Sequence, residues 1–305
     1  MTWGRIGSMP LLAVTLLVGS PHMARADYLI TLLGPQEPFP RAINNQGWIT
    51  GIDQAGGGFL RSGGGSSPVA PPGASASQPY GINDAGQVVG RYLSARLVHG
   101  FLDSDGVYTR LDVSGTATGT LANGINAFDQ ITGAYGPSGQ LRGFLLSGGS
   151  YTTFAVPGAS NTEPFKINNA GVIVGEYRLA GQTHGFVFNA GGYTTVDVPG
   201  STATNVYGIN NAGQMVGSFQ VPTDSLVHGF LDTGRAFSTI DVPGAILTEV
   251  WGINDAGLIV GDYQDAAFNF HGFLAAPVPE PTPLLLLGIA VLAWMGWAAR
   301  GAWLV

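Results

Sequence analysis

Short apolar runs of strand length, each stopped by Gly, Asn or Pro, fill residues 28–274 of this 305-residue chain, and none of them is long enough for a helix. The stretch 205–243 shows the pattern most cleanly. Its apolar runs are 206–209, 215–219, 227–231 and 237–242. They are separated by Asn211-Ala212-Gly213, a polar segment around Pro222-Thr223-Asp224, and Thr233-Gly234, and Pro243-Gly244 closes the unit. Asn-Ala-Gly suits a tight hairpin, because Gly takes positive φ without a Cβ clash and Asn tolerates it. Four short strands joined in this way predict one antiparallel blade of a propeller.

The unit repeats. Gly208-Ile209-Asn210-Asn211 returns as Ala42-Ile43-Asn44-Asn45, Gly81-Ile82-Asn83-Asp84, Gly124-Ile125-Asn126, Lys166-Ile167-Asn168-Asn169 and Gly252-Ile253-Asn254-Asp255. The spacing is about 42 residues, a period of arrays and propellers. Six openings are matched by six closing strands that are out of phase with them. Residues 28–33 read as a closing strand ahead of the first opening, whereas the last unit stops at Pro277 and Pro279, after His271-Gly272-Phe273-Leu274, without a fourth run. A ring accounts for the offset, since the N-terminal strand completes the last blade and leaves no sheet edge open between the chain ends. An open solenoid would call for polar capping repeats instead. The predicted fold is therefore all-β: a six-bladed β-propeller of four-stranded blades over residues 27–276, closed by the N-terminal strand. Gly56-Gly57-Gly58, Gly63-Gly64-Gly65 and the nearby prolines predict a thin, mobile first blade.

Both ends of the chain break the pattern. Arg5, the apolar run 11–18 and Ala24-Arg25-Ala26 ahead of Asp27 predict a secretory signal peptide over residues 1–26, cleaved before Asp27. Pro10 and Pro21 bracket that run too tightly for a spanning helix. At the other end, residues 277–305 hold an uncharged apolar run at 284–299, followed by Arg300. As a helix it extends about 24 Å, just short of a bilayer core, which predicts a C-terminal transmembrane helix.

Composition narrows the function. With 45% hydrophobic and 10% charged residues, 48 Gly and no Cys, the core must come from packing without disulfides. Twelve basic against 19 acidic residues, and Lys166 as the single lysine, argue against nucleic acid as a partner.

Few residues offer chemistry. His99, His184, His228 and His271 each begin a His-Gly-Phe triplet on a third strand, with Gly58 and Arg142 standing in two other units. Repetition gives these histidines a structural role, each anchoring its own blade. On third strands they would lie about 17 Å from the axis, too far apart to share a metal. Asp84, Asp255, Asp112, Asp197 and Asp241 recur at turns or closing strands and read likewise. No calcium loop, Walker loop, Gly-x-Ser-x-Gly or His-Glu-x-x-His is present, and no cofactor is expected. An enzyme would be marked by a cluster of carboxylates that breaks the repeat, and none stands out along the chain.

The Gly-Ile-Asn-x-x-Gly-x-Val-Val-Gly and His-Gly-Phe-Leu segments recur together over residues 42–274, and in this the chain resembles the HAF-type extracellular repeat proteins. Val278-Pro279-Glu280-Pro281, the apolar run and Arg300 resemble the PEP-CTERM sorting signal recognised by exosortases. These resemblances imply export, transient retention by the membrane helix, and passage to the cell surface or extracellular matrix, with an exosortase and possible extracellular polysaccharide as partners. They imply no defined reaction. The leading expectation is a non-catalytic display or binding module, and the alternative is a secreted propeller hydrolase or lyase acting on glycans. Ice binding is disfavoured, because flat arrays of regularly spaced Thr are absent.

Overall fold

The computed structural model describes residues 24–25, 28–113, 119–190, 192–234 and 236–278, and every regular element among them is a β-strand. Most of the expected signal peptide, Ala26, Asp27 and the expected tail from Pro279 through Arg300 to Val305 lie outside the described residues. Among the described residues no helix is long and apolar enough to cross a membrane.

Strands β1 (Ala24–Arg25) and β2 (Tyr28–Leu32) come first. β3 (Phe39–Ile43), β4 (Ile49–Ile52), β5 (Gly58–Ser62) and β6 (Gly65–Val69) then pair antiparallel in chain order, so the glycine-rich first sheet is complete. The same meander is repeated by β7 (Ala76–Ile82), β8 (Val88–Ser94), β9 (Leu97–Ser104) and β10 (Val107–Leu111). It recurs in β11 (Thr120–Ile125), β12 (Ile131–Tyr135), β13 (Arg142–Ser147) and β14 (Ser150–Phe154). β15 (Asn161–Ile167), β16 (Ile173–Leu179), β17 (Gln182–Asn189) and β18 (Gly192–Val196) follow. Next come β19 (Ala203–Ile209), β20 (Met215–Gln220), β21 (His228–Asp232) and β22 (Phe237–Ile240), the last joined along its outer edge by β1 in parallel. The final meander, β23 (Leu247–Ile253), β24 (Ile259–Gln264) and β25 (Phe270–Pro277), has no fourth strand of its own. β2 supplies it, with Tyr28 opposite Pro277 and Leu32 opposite Phe273.

The first strand of each sheet touches the first strand of the next, and β23 returns to touch β3, so the sheets pack in a cycle as a β-propeller. Apolar side chains from adjoining sheets fill the wedges between them. Val216 and Leu231, for example, cluster with Val250, Ile259 and Phe273 of the following sheet. The Phe of each His-Gly-Phe triplet is the centre of such a wedge: Phe101, Phe186, Phe230 and Phe273 are fully buried, as is Phe144 after Arg142-Gly143.

The signature asparagines join the sheets at the end of their innermost strands. Asn44 Nδ2 donates to Asn83 O (3.0 Å), Asn83 to Asn126 O (3.2 Å), Asn126 to Asn168 O (3.0 Å) and Asn168 to Asn210 O (3.1 Å). Asn210 donates to Asn254 O (3.1 Å), and Asn254 to Asn44 O (3.1 Å), which closes the circuit. The Oδ1 of each accepts from a backbone N–H of its own turn: Trp48, Gln87, Gln130, Val172, Gln214 and Leu258. All of these asparagines are buried, and the bonds from Nδ2 to the next sheet are buried with them.

Asn168→Ala therefore leaves a buried carbonyl and turn N–H groups unsatisfied, and should lower the unfolding free energy by about 2–4 kcal/mol. Asn168→Asp keeps the acceptor while losing the donor, so it should fall between wild type and Ala. Urea melts of the three proteins measure this, and an Ala variant within about 0.5 kcal/mol of wild type would show that the circuit carries no stability.

Candidate axial site

Each innermost strand slips register shortly before its signature Asn, at Pro40/Ala42, Pro79/Gly81, Ala122/Gly124, Pro164/Lys166, Val206/Gly208 and Val250/Gly252. A bulge leaves its extra residue unpaired and re-aims the side chain. The second strand makes room for this with a glycine. A Cβ on Gly175 would overlap the backbone oxygen of Glu163, and one on Gly217 that of Asn205. These glycines thus lie inside the second strands, facing the bulges.

The bulged residues, Arg41, Tyr80, Asn123, Phe165, Tyr207 and Trp251, meet across sheets. Tyr207 and Trp251 stack at 4.0 Å, Phe165 sets its edge against Tyr207 at 5.1 Å, and the Arg41 guanidinium lies 4.0 Å from the Trp251 ring centroid. Arg91 donates to Gln78 (2.7 Å) and to the Tyr80 hydroxyl (2.9 Å). Lys166 stands where most other units have Gly, and its Nζ reaches the carbonyls of Tyr80 (2.8 Å) and Asn123 (3.3 Å).

Above this plug, at the opposite end of the innermost strands from the Asn circuit, one register position stops being alike from sheet to sheet. The cross-strand pairs there are Phe39/Ile52, Gln78/Arg91, Leu121/Ala134, Glu163/Glu176, Asn205/Ser218 and Glu249/Asp262. Two sheets flanking a neutral one thus each present two directly opposed carboxylates, an unfavourable pairing in an ordinary sheet. Asp262, almost wholly buried, is held by Arg41 Nη1 at 2.6 Å. Glu163, Glu176 and Glu249 are half-buried, and none of them forms a salt bridge among the described residues.

Electrostatics follow from this crowding. Burial, then the charges of Glu163 and Glu249, push the Glu176 pKa up to about 7 against the pull of Arg178. Burial and the Asp262 charge do the same to Glu249, also to about 7, although Arg41 and the Tyr207 hydroxyl 3.5 Å away oppose them. Burial also raises Glu163 and Asp262, the first opposed by Arg91 and the second by Arg41. The Lys166 amine is brought down to about 7, mainly by loss of water and secondarily by repulsion from Arg41. The Trp251 side chain, within bonding reach of Glu249 and Asp262, also opposes the rise of both carboxyls, and Arg41 Nε is buried without a hydrogen-bond partner.

The repeated histidines lie apart from this cluster, further out on the third strands. His99, His184 and His228 turn Nδ1 to Asp112 (3.1 Å), Asp197 (2.8 Å) and Asp241 (2.9 Å) on the adjoining closing strand or the loop beyond it. His271 bonds Asp265 through Nε2 at 2.9 Å. The rings pack on Tyr92, Tyr177, Phe219 and Tyr263. Burial alone would lower the His228 pKa, but Asp241 and Asp224 raise it. Among the described residues no three His, Cys, Asp or Glu converge as a metal set.

The sequence reading missed the axial carboxylates, having found no cluster that breaks the repeat. The signal was present: Glu163 and Glu249 stand five residues before a signature Asn, and Glu176 and Asp262 directly after the second-strand Gly. Sorting residues by distance from the signature would have exposed them.

No protein-family model matches the chain, and no curated protein matches its sequence. Solved structures do resemble its fold. A gluconolactonase from Xanthomonas campestris aligns at 14% identity and a TM-score of 0.50, covering 84% of this chain and 92% of that one. A streptogramin B lyase aligns at 12% identity and 0.49, covering 81% and 87%. The β-propeller domain of the Trilobed protease from Pyrococcus furiosus aligns at 7% and 0.45, covering 82% and 94%. Identities this low speak to fold alone.

The raised carboxyl pKa values carry a sign. Between an unfolded value of about 4.5 and a folded value of about 7, Glu176 and Glu249 hold protons in the folded chain that the unfolded chain has released. This stabilisation is complete below pH 4.5 and is lost as pH rises through 7. Lys166, charged in both states over most of that window, contributes little to it. The protein should melt several degrees higher at pH 5 than at pH 7, at roughly 2–4 °C per kcal/mol. Glu176→Gln and Glu249→Gln should each raise the pH 7 value towards the pH 5 one. Equal melting temperatures at both pH values in wild type and variants would show that these carboxyls titrate normally.

Proposed function

We propose that this chain is an exported six-bladed β-propeller, closed by its N-terminal strand, that works as a glycan-binding display module at the cell surface or in the extracellular matrix. The closed circuit of Asn side chains and the fourth strand lent by β2 support the count of six. The Ala24-Arg25-Ala26 segment supports export, and Pro279-Glu280-Pro281 with the apolar run 284–299 supports exosortase-dependent sorting through a transmembrane tail.

The observation that carries the binding role is the register position at which the sheets cease to be alike. Blades related by repetition need no charge there, as Phe39/Ile52 and Leu121/Ala134 illustrate. Charged and amide side chains gathered at one register position of the innermost strands supply the polar groups that a ligand such as a glycan needs. One observation favours a second reading at the same place. Glu176 and Glu249 are near-neutral acids with pKa values about 7, the condition for proton transfer in a glycan hydrolase or lyase.

A glycan array probed with the secreted protein tests the first reading. Binding to a defined set of glycans, reduced at least tenfold in a Glu176→Gln/Glu249→Gln variant that still folds, is the expected outcome. Binding unchanged in that variant would place the ligand elsewhere. Newly formed reducing ends or unsaturated products on the bound glycan would favour the catalytic reading. Intact mass checks the export half: a mature N-terminus at Asp27, with residues 284–305 removed only where an exosortase is present.

A further inference from the structure

Among the described residues, His228 is the one repeated histidine whose two ring nitrogens both face carboxylates. Its Nδ1 lies 2.9 Å from Asp241, directly after β22, and its Nε2 lies 3.3 Å from Asp224, in the connection between β20 and β21. His99 and His184 have the first kind of contact, and His271 has the second, to Asp265. A neutral imidazole carries one N–H, which is enough for each of those three. At His228 it is not enough. With one proton gone, one ring nitrogen turns its lone pair towards a carboxylate, so the two contacts together need the doubly protonated ring.

The segment that supplies Asp224 is also where the fifth sheet departs from its neighbours. β8 and β9 are joined by Ala95 and Arg96, and β16 and β17 by Ala180 and Gly181, whereas residues 221–227 separate Gln220 of β20 from His228 of β21. The far end of this longer connection is fixed to the next sheet: Val227 N donates to Ile246 O (3.4 Å), and the Val227 carbonyl accepts from Thr248 N (2.8 Å). Residues 222–226 are exposed, and Asp224, besides facing His228, accepts from Leu226 N (3.0 Å). One carboxylate thus closes the turn of the segment and pins it to β21. Leu226 and Val227 form one wall of a cavity of about 290 Å³ between the fifth and sixth sheets, and His228, Asp241, Thr239 and Thr248 line it as well.

We propose that residues 221–226 are a pH-operated strap, pinned while His228 holds both ring protons and released, with the cavity opened, when it loses one. Burial works to lower the pKa of the ring, but Asp241 and then Asp224 together carry it above the ordinary 6.5. The other elements around it bring uncharged side chains: Phe219 of β20 packs on the ring at 5.2 Å, and Thr239 of β22 and Thr248 of β23 share its cavity. β1 reaches β22 through the backbone of Arg25, opposite Thr239. The folded ring therefore keeps its second proton at pH values where the unfolded one has begun to lose it. The strap contact is complete below pH 6.5 and is lost as pH rises through the higher folded value. The device stands apart from the axial residues, so it works whether or not those residues bind a glycan.

Hydrogen exchange of the full-length protein, corrected for the intrinsic effect of pH, tests the strap. Residues 221–226 should exchange about tenfold faster at about pH 8.5 than at about pH 5.5, the size expected for loss of a hydrogen bond to a charged group, while the Ala180–Gly181 turn keeps one corrected rate. Over the same range, NMR titration should show the His228 ring losing its second proton. Asp224→Asn, at an exposed position where the amide oxygen still closes the turn, should exchange at the fast rate throughout. Asp197→Asn, which alters the corresponding pair of the fourth sheet, should leave the pH dependence of the strap as in wild type. Because the chain has no cysteine, Ala245→Cys places a single thiol on the cavity wall. At about pH 6 a maleimide should label it about tenfold faster with Asp224→Asn than without, and at about pH 8.5 equally fast. Exchange that is flat between the two pH values, or that keeps its pH dependence in Asp224→Asn, would overturn the switch. Equal labelling with and without Asp224→Asn at about pH 6 would overturn the opening of the cavity.

Discussion

Everything else in the ring depends on a side-chain amide that works in two directions at once. The Oδ1 of each signature Asn closes its own hairpin turn, and Nδ2 ties that turn to the backbone of the next sheet. No other common side chain does both. Asp has no donor, Ser is too short to span the turn and the sheet boundary together, and Gln carries the same groups one methylene further out. Because the circuit returns from Asn254 to Asn44, the first and last units are held to each other as firmly as any neighbours, although their strands are far apart in sequence. β2 adds a second closure on the outside of the same junction by completing the sheet of β23, β24 and β25. Inner and outer closure together join the two ends of the chain at one seam.

This arrangement explains what was legible in the sequence. Strand positions, the meander within each sheet and the complementing role of residues 28–33 follow from short-range rules, namely apolar runs of strand length, Asn and Gly at turns, and a simple phase count. The Asn was legible only by half. Its turn role is local, as Asn168 to Val172 shows, whereas its bond to Asn210 O connects residues a whole repeat apart. The His–Asp pairs belong to an intermediate class, since their partners sit across one hairpin and recur at a constant offset of 13 residues in three sheets.

The axial carboxylates were not legible from any local window. Glu163 and Glu176 become neighbours only through the β15–β16 register, and that register contains a bulge at Pro164/Lys166 that a simple alternation rule does not anticipate. The bulge also decides which side chains reach the axis. Without it Phe165, Tyr207 and Trp251 would keep the strict alternation of the strand, and the plug beside the carboxylates would not form. A sequence pattern that repeats therefore locates the scaffold, and the departures from it locate the chemistry.

The two ends of the innermost strands are under opposite demands. At the Asn end, identity from sheet to sheet is required, since one non-donor would open the circuit. At the carboxylate position, the only shared requirement is that the glycine of the second strand accommodate the bulge, which leaves the residues on either side free to diverge. Placing Glu opposite Glu, and Glu opposite Asp, costs stability in proportion to how little water reaches them, and a ring already closed at its far end can bear that cost locally. The cost falls when the carboxyls hold protons, so the groups that make this register position unfavourable also tie the stability of the ring to pH.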